Sequence, residues 1–162
     1  MREKLLDDVC RYLPALLATQ KKLAELYARK QQALVEARLE VLQQLVQPEL
    51  DLTCALQQHL RTRRDLLRSA RQAGLPHSNI RDLLPLMAAS ERADLEHMVV
   101  DSQKLSRQLR RASSVHWIIA RKSCQYYGEI LELFANRGRT APTYAAQSDR
   151  ETSGGAILDA SV

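Results

Sequence analysis

Four histidines and three cysteines are the groups in this 162-residue chain best suited to ligate a metal or to act as nucleophile or base. Their spacing argues against both. A di-metal site in a helical protein needs Glu-x-x-His pairs on facing helices, so that two ligands from one helix lie one turn apart. The nearest approach is Asp94-x-x-His97, which stands alone and has the shorter acid. Cys10, Cys54 and Cys124 are far apart and odd in number, without Cys-x-x-Cys or Cys/His spacing. Neither a zinc site nor a disulfide framework is expected, and a reducing compartment fits best. Cys124 reads as a small buried hydrophobe, because no second His or Asn is placed to activate its thiol. His116, with Trp117 beside it, falls on a regular apolar stripe, and the expectation is a core histidine bonded to a neighbouring side chain. No glycine-rich phosphate loop, Gly-x-Ser-x-Gly or His-Glu-x-x-His occurs, and each of those chemistries depends on that local geometry. The sequence predicts no enzyme, no metal and no cofactor.

The elements that position these residues are helices. Five Gly, five Pro and 4% aromatic residues are too few for the turns and strands of a sheet fold. From Leu5 an apolar stripe runs through Val9, Leu13, Leu16, Leu23, Leu26 or Tyr27, and Leu34 in helical steps. Gln20 and Lys30 interrupt it, and Pro14 should bend it. The stripe resumes at Val41 and Leu45 and continues through Leu52, Leu56, Leu60 and Leu67 to about Ala73. A single helix over 2–73 would be about 105 Å long. A turn near Glu36-Ala37-Arg38 or a kink at Pro48 would instead fold it into a hairpin, although neither place carries the Gly or Asn usual at a helix end. Gly74 and Pro76 form a stop, Ser78 can cap the next helix, and Ile80 to Met87 predict a short amphipathic connection around Pro85. From Leu84 to Leu133, alternating steps of three and four define a heptad seam with Glu91, Ser102, His116 and Ser123 among its members. The expected fold is all-α: an elongated antiparallel bundle of about three long helices over 1–136, with a short connecting helix. Residues 137–162 are expected to be a flexible tail that turns apolar at Ala156-Ile157-Leu158.

The net charge of +5 is distributed in blocks. Residues 59–76 hold five Arg against Asp65, and residues 104–125 hold six bases and no acid. In an antiparallel hairpin about Gly74, Arg61, Arg63, Arg64, Arg68 and Arg71 would stand against 83–93, where Glu91 is flanked by Asp82, Asp94 and Glu96. Cross-helix ion pairs would then absorb the first block. The second block (Lys104, Arg107, Arg110, Arg111, Arg121 and Lys122) is only partly met by Glu36, Glu40 and Glu49, and is a candidate site for an acidic partner. Nucleic acid is disfavoured, because no aromatic stacking platform or DNA-binding module accompanies the block. The amino terminus carries acids where a signal peptide needs an apolar core, and no apolar run reaches the length of a membrane span. A cytoplasmic protein with no membrane span is the expectation.

Several stretches together resemble the FlgN family of flagellar type III export chaperones. Residues 22–45, KLAELYARKQQALVEARLEVLQQL, are similar to the family's first segment, where an apolar stripe passes through a QxAL step into a second helix. Residues 64–75, RDLLRSARQAGL, resemble its Arg-rich helix end and Gly-Leu stop, and SSVHWIIARKSCQYYGEILELF resembles its last helix. Tyr144, a polar Gly-containing tail and a small apolar terminus are similar to its carboxyl-terminal tail. The family often has Asn around the position of His116 and Gly soon after the tail tyrosine, where this chain has Ala145-Ala146-Gln147.

The resemblance implies a cytoplasmic chaperone that holds the amphipathic terminal helices of hook–filament junction proteins before secretion. Export-apparatus components and a homodimer are further candidate partners. It also places the cargo site toward the carboxyl end. By position, that means Val115, Trp117, Ile118, Tyr127, Leu131 and Phe134, with Tyr144, Ile157 and Leu158 as tail anchors. Trp117 is the strongest single choice, since a lone Trp beside a seam suits an interface anchor. The alternative is a helical adaptor that takes an acidic partner or nucleic acid through 104–122.

Overall fold

A computed structural model describes residues 2–135, and the sequence assignments to the 137–162 tail lie outside them. The described chain is helical: α1 (Arg2–Val35), α2 (Leu39–Gln72), a 3₁₀ helix (Ile80–Leu86) and α3 (Ala89–Ala135). Among the described residues there are no strands. The chain divides into two compact units, Met1–Ile119 and Ala120–Val162, with α3 passing from the first into the second.

In the first unit the 2–73 segment is two helices, and the turn falls at Glu36-Ala37-Arg38. Ala37 adopts φ 52°, the left-handed conformation that usually calls for glycine. Around it the Arg38 N–H donates to the Ala33 carbonyl at 2.9 Å and the Ala37 N–H to the Leu34 carbonyl at 3.3 Å. This is the paired bond set that closes a helix carboxyl end. At the end of α2 the same pattern recurs with glycine. Gly74 has φ 67°, the Leu75 N–H donates to Ala70 O at 2.9 Å, and the Gly74 N–H donates to Arg71 O at 3.1 Å. Pro14 and Pro48 lie inside α1 and α2. Each removes one backbone donor without ending its helix.

The cap of the 3₁₀ helix is not Ser78. The extended residue before it is Asn79, whose N–H donates to Asp82 Oδ2 at 3.2 Å.

Helices α1 and α2 run antiparallel. Thr19 Oγ1 and His59 Nε2 are 3.0 Å apart, and Lys30 Nζ meets Glu49 Oε2 at 2.5 Å. Within the first unit α3 runs parallel to α1, because Cys10 approaches Glu91, Gln20 bonds Ser106 and Tyr27 packs on His116. The apolar core joins Leu5, Val9, Tyr12 and Leu13 of α1 to Leu66 and Ala70 of α2, Ile80, Leu83 and Leu84 of the 3₁₀ helix, and Leu95 of α3. Val9, Leu83 and Leu84 are the largest side chains fully withdrawn from solvent.

Gln20 and Lys30, the two polar residues that break the α1 stripe, lie in the packed region and are partnered there. Gln20 is buried and its Nε2 donates to Ser106 Oγ at 2.9 Å, while Lys30 is half-buried in its pair with Glu49. Leu60, assigned to the α2 stripe, is exposed. The expected cross-helix pairing of the first arginine block does not form. Arg68 pairs with Asp65 and Arg92 with Glu96, each within its own helix, while Asp82 caps the 3₁₀ helix and Glu91 faces Cys10. Side chains three or four residues apart on one helix already lie within reach of each other.

Candidate partner-binding surface

The heptad seam of α3 is the feature that positions everything else on that helix. Its buried residues are Leu95, Ser102, Leu109 and His116, spaced seven apart. Met98, Leu105, Ala112 and Ile119 lie between them and are half-buried. That is the burial of a helix laid lengthwise on neighbours. The pattern of residue types continues past Ile119, but the burial does not. Ser123, Tyr126 and Leu133 are exposed and Ile130 is half-buried, so these four members of the predicted core seam are not core. Sequence periodicity could not separate them, because it records which face is apolar and not whether anything covers it.

In the second unit, every residue from Ala120 to Ala135 except Ile130 is exposed. At 100° per residue, Leu133, Tyr126, Ile130, Ser123, Phe134, Tyr127 and Leu131 fall within an arc of about 160°. Lys122 and Glu129 border one edge of that arc, and Gln125, Glu132 and Arg121 occupy the opposite side of the helix. Phe134 is 78% exposed. Apart from Ser123 the residues of this arc are apolar, and all but Ile130 are exposed; a mainly apolar face with a polar back is what an amphipathic helix presents to a partner.

The sequence-assigned residues thus fall in two groups. Val115, Trp117 and Ile118 are exposed residues of the first unit, with Trp117 at 60%. Tyr127, Leu131 and Phe134 are exposed residues of the second. Tyr144, Ile157 and Leu158 lie outside the described residues. The surface missed by the sequence reading is Tyr126, Ile130 and Leu133. Their heptad register carries the signal, but register alone does not distinguish a covered face from an exposed one.

His116 is buried at 6% exposure and rests edge-on against the Tyr27 ring, with centroids 5.1 Å apart. Among the described residues neither ring nitrogen has a hydrogen-bond partner, which corrects the expectation of a bonded core histidine. Burial pushes its pKa below the ordinary value, the Lys30 ammonium adds to that, and Glu49 opposes it. The neutral form is held in place by packing alone.

Cys124, expected to be buried, is exposed. Cys10 is half-buried with its Sγ 3.9 Å from Glu91 Oε2, and burial followed by the Glu91 and Asp7 charges raises its pKa. Such a thiol stays protonated and is a poor nucleophile. Among the described residues no group of three His, Cys, Asp or Glu side chains could hold a metal ion, and no helix is long and apolar enough to cross a membrane.

Two of the three acids expected to meet the second basic block are engaged elsewhere: Glu36 with Arg38 and Glu49 with Lys30. Lys104 instead pairs with Asp101 one turn away at 3.7 Å. Arg107, Arg110 and Arg111 are exposed, and the Arg107 Nε donates only to the Gln103 carbonyl of its own helix. Compared with protein-family models, with curated proteins and with solved structures, the chain matches none.

Proposed function

We propose that this protein is a helix-binding chaperone of the flagellar type III export kind, working in the cytoplasm. Its cargo is an amphipathic terminal helix of a hook–filament junction protein. The observation that carries the reading is the α3 seam whose cover stops at Ile119 while its apolar residues continue. A cargo helix laid on Tyr126, Tyr127, Ile130, Leu131, Leu133 and Phe134 would dehydrate both apolar faces at once. Each well-buried Leu, Ile or Phe contributes about 1.5–3 kcal/mol. An unassembled junction helix left bare would associate with its own kind. Covering it delays assembly without requiring the chaperone to change fold. Val115, Trp117 and Ile118 offer a separate apolar contact on the first unit.

The test is calorimetric titration of the purified chain with synthetic terminal helices of a junction protein. The expected result is saturable binding with a negative heat-capacity change, the mark of buried apolar surface. The double variant Leu131→Ala with Phe134→Ala should bind about tenfold or more weakly, with its helicity intact. No binding, or unchanged affinity in that variant, refutes the reading.

The exposed Arg107, Arg110 and Arg111 favour a second reading, an adaptor for an acidic partner. That reading requires affinity that falls steeply with added salt and with Arg→Gln changes at those positions.

A further inference from the structure

From the charges that border the apolar arc of residues 120–135, we infer that a second copy of this chain occupies the arc when no other partner does, pairing antiparallel about a two-fold axis near Tyr126.

In heptad terms Ser123 and Ile130 take one seam position (a) and Tyr126 and Leu133 the other (d). Lys122 and Glu129 flank the seam on the g side, while Tyr127 and Phe134 flank it on the e side. These side positions select orientation in helix pairs. In a parallel pair the g side of one helix borders the e side of the other. Lys122 would then lie beside the partner copy's tyrosine ring and Glu129 beside its phenylalanine ring, and no charge would be matched. Reversing one helix brings g against g and e against e. Each Lys122 then meets the glutamate at position 129 of the other copy, so two attractive pairs form. The two Tyr127 rings border each other near the axis, where paired aromatics pack well.

Both charged groups are available for this. Among the described residues Lys122 forms no salt bridge, and Glu129 accepts a hydrogen bond only from Gln125 of its own helix, at 3.2 Å. The interface is isologous, so it closes on itself and does not propagate. Its apolar seam is only about two heptads long, which is small for a permanent dimer. The pair is therefore reversible, and a cargo helix that buries more surface can displace it. The inference concerns the cargo-free protein and does not depend on the chaperone reading.

Sedimentation of the full chain over a concentration series, without any partner, tests it. The expected result is a reversible shift from 18.4 kDa toward twice that mass. Lys122→Glu alone and Glu129→Lys alone each turn two attractions into two repulsions, and each should weaken self-association about tenfold. The double variant K122E/E129K restores both pairs with the signs exchanged, and should return to near wild-type association. Circular dichroism of each variant confirms that the helices persist. A chain that stays monomeric at all concentrations overturns the inference. So does a double variant as weak as either single one, because only antiparallel g-to-g contact predicts rescue. Failure here leaves the cargo titration unaffected, so the two ideas fail separately.

Discussion

The two helix ends at Ala37 and Gly74 form a matched pair in which nearly the same hydrogen-bond set is closed once by alanine and once by glycine. An L-residue in the left-handed region costs about 1–2 kcal/mol, because its Cβ crowds the following carbonyl oxygen. Glycine escapes that cost but gives up more conformational freedom on folding, about 0.5–1 kcal/mol relative to alanine. Ala37→Gly should therefore stabilise the fold by about 0.5–1 kcal/mol. Ala37 is exposed, so no packing is lost with its methyl group. Gly74→Ala should destabilise by a similar amount. A Cβ added there meets nothing within 4 Å, so the effect is purely one of backbone conformation. The two sites lie at different turns and should add independently, leaving the double variant close to wild type. Urea unfolding at 25 °C would measure all three, and in thermal unfolding each single change should move Tm by about 1–4 °C in opposite directions. A destabilised Ala37→Gly, or a neutral Gly74→Ala, would refute the backbone argument.

The buried polar groups and the core give further expectations. His116→Leu removes two unpartnered buried nitrogens and should stabilise the protein by about 1–2 kcal/mol in urea unfolding. The sign of the pH effect is fixed by the same site. The unfolded imidazole takes a proton at its ordinary value of 6.5, while the folded one resists to lower pH. Wild-type stability, measured against that of His116→Leu, should be level above that pH. It should fall as pH drops from about 6.5, until the folded imidazole also protonates. Lys30→Met should cost about 1–3 kcal/mol by stranding the half-buried Glu49, and adding Glu49→Met should recover most of the loss. Val9→Ala, at a side chain with no solvent exposure, should cost about 1–3 kcal/mol and lower Tm. Phe134→Ala, at an exposed position, should change stability by less than about 0.5 kcal/mol.

Much of the helical architecture is legible because helix stops and stripes are local. Gly74 with Pro76 marks the end of α2 directly, and the steps from Leu5 to Leu26 place the face of α1 that is buried. The turn at Ala37 is less visible, since alanine usually signals helix interior. Only the cost of leaving an apolar stripe uncovered over a single long helix points to a hairpin there. Ion pairing is illegible for a related reason. Arg68 has a partner three residues away in Asp65, and a local contact of that kind competes well with a distant one across a helix gap. The candidate surface is half legible. The register of Tyr126, Ile130 and Leu133 is plain in the sequence, but whether a neighbour lies over them is a property of the other helices.

What distinguishes a binding surface from a mere loose end is the change in residue types along one unbroken register. Over the middle of the covered stretch of α3, the e-side flank of the seam is small or polar at Ser106 and Ser113, after an apolar Val99. The next positions round the same side are charged or polar at Glu96, Gln103 and Arg110. A narrow stripe suffices there, because neighbouring helices close over it. From Trp117 onward the same flank turns apolar, at Trp117, Tyr127, Leu131 and Phe134, and the apolar arc widens as burial falls away. An end that only frays would be expected to go the other way, since exposed apolar surface invites aggregation and polar residues avoid it. The widening is the residue pattern expected of a face that a partner covers. Replacing Tyr127, Leu131 and Phe134 together with Gln, Lys and Glu tests this directly. The triple variant should unfold in urea at the wild-type midpoint, yet lose both self-association and binding of an added amphipathic helix. A variant that keeps both would show that the aromatic flank is incidental.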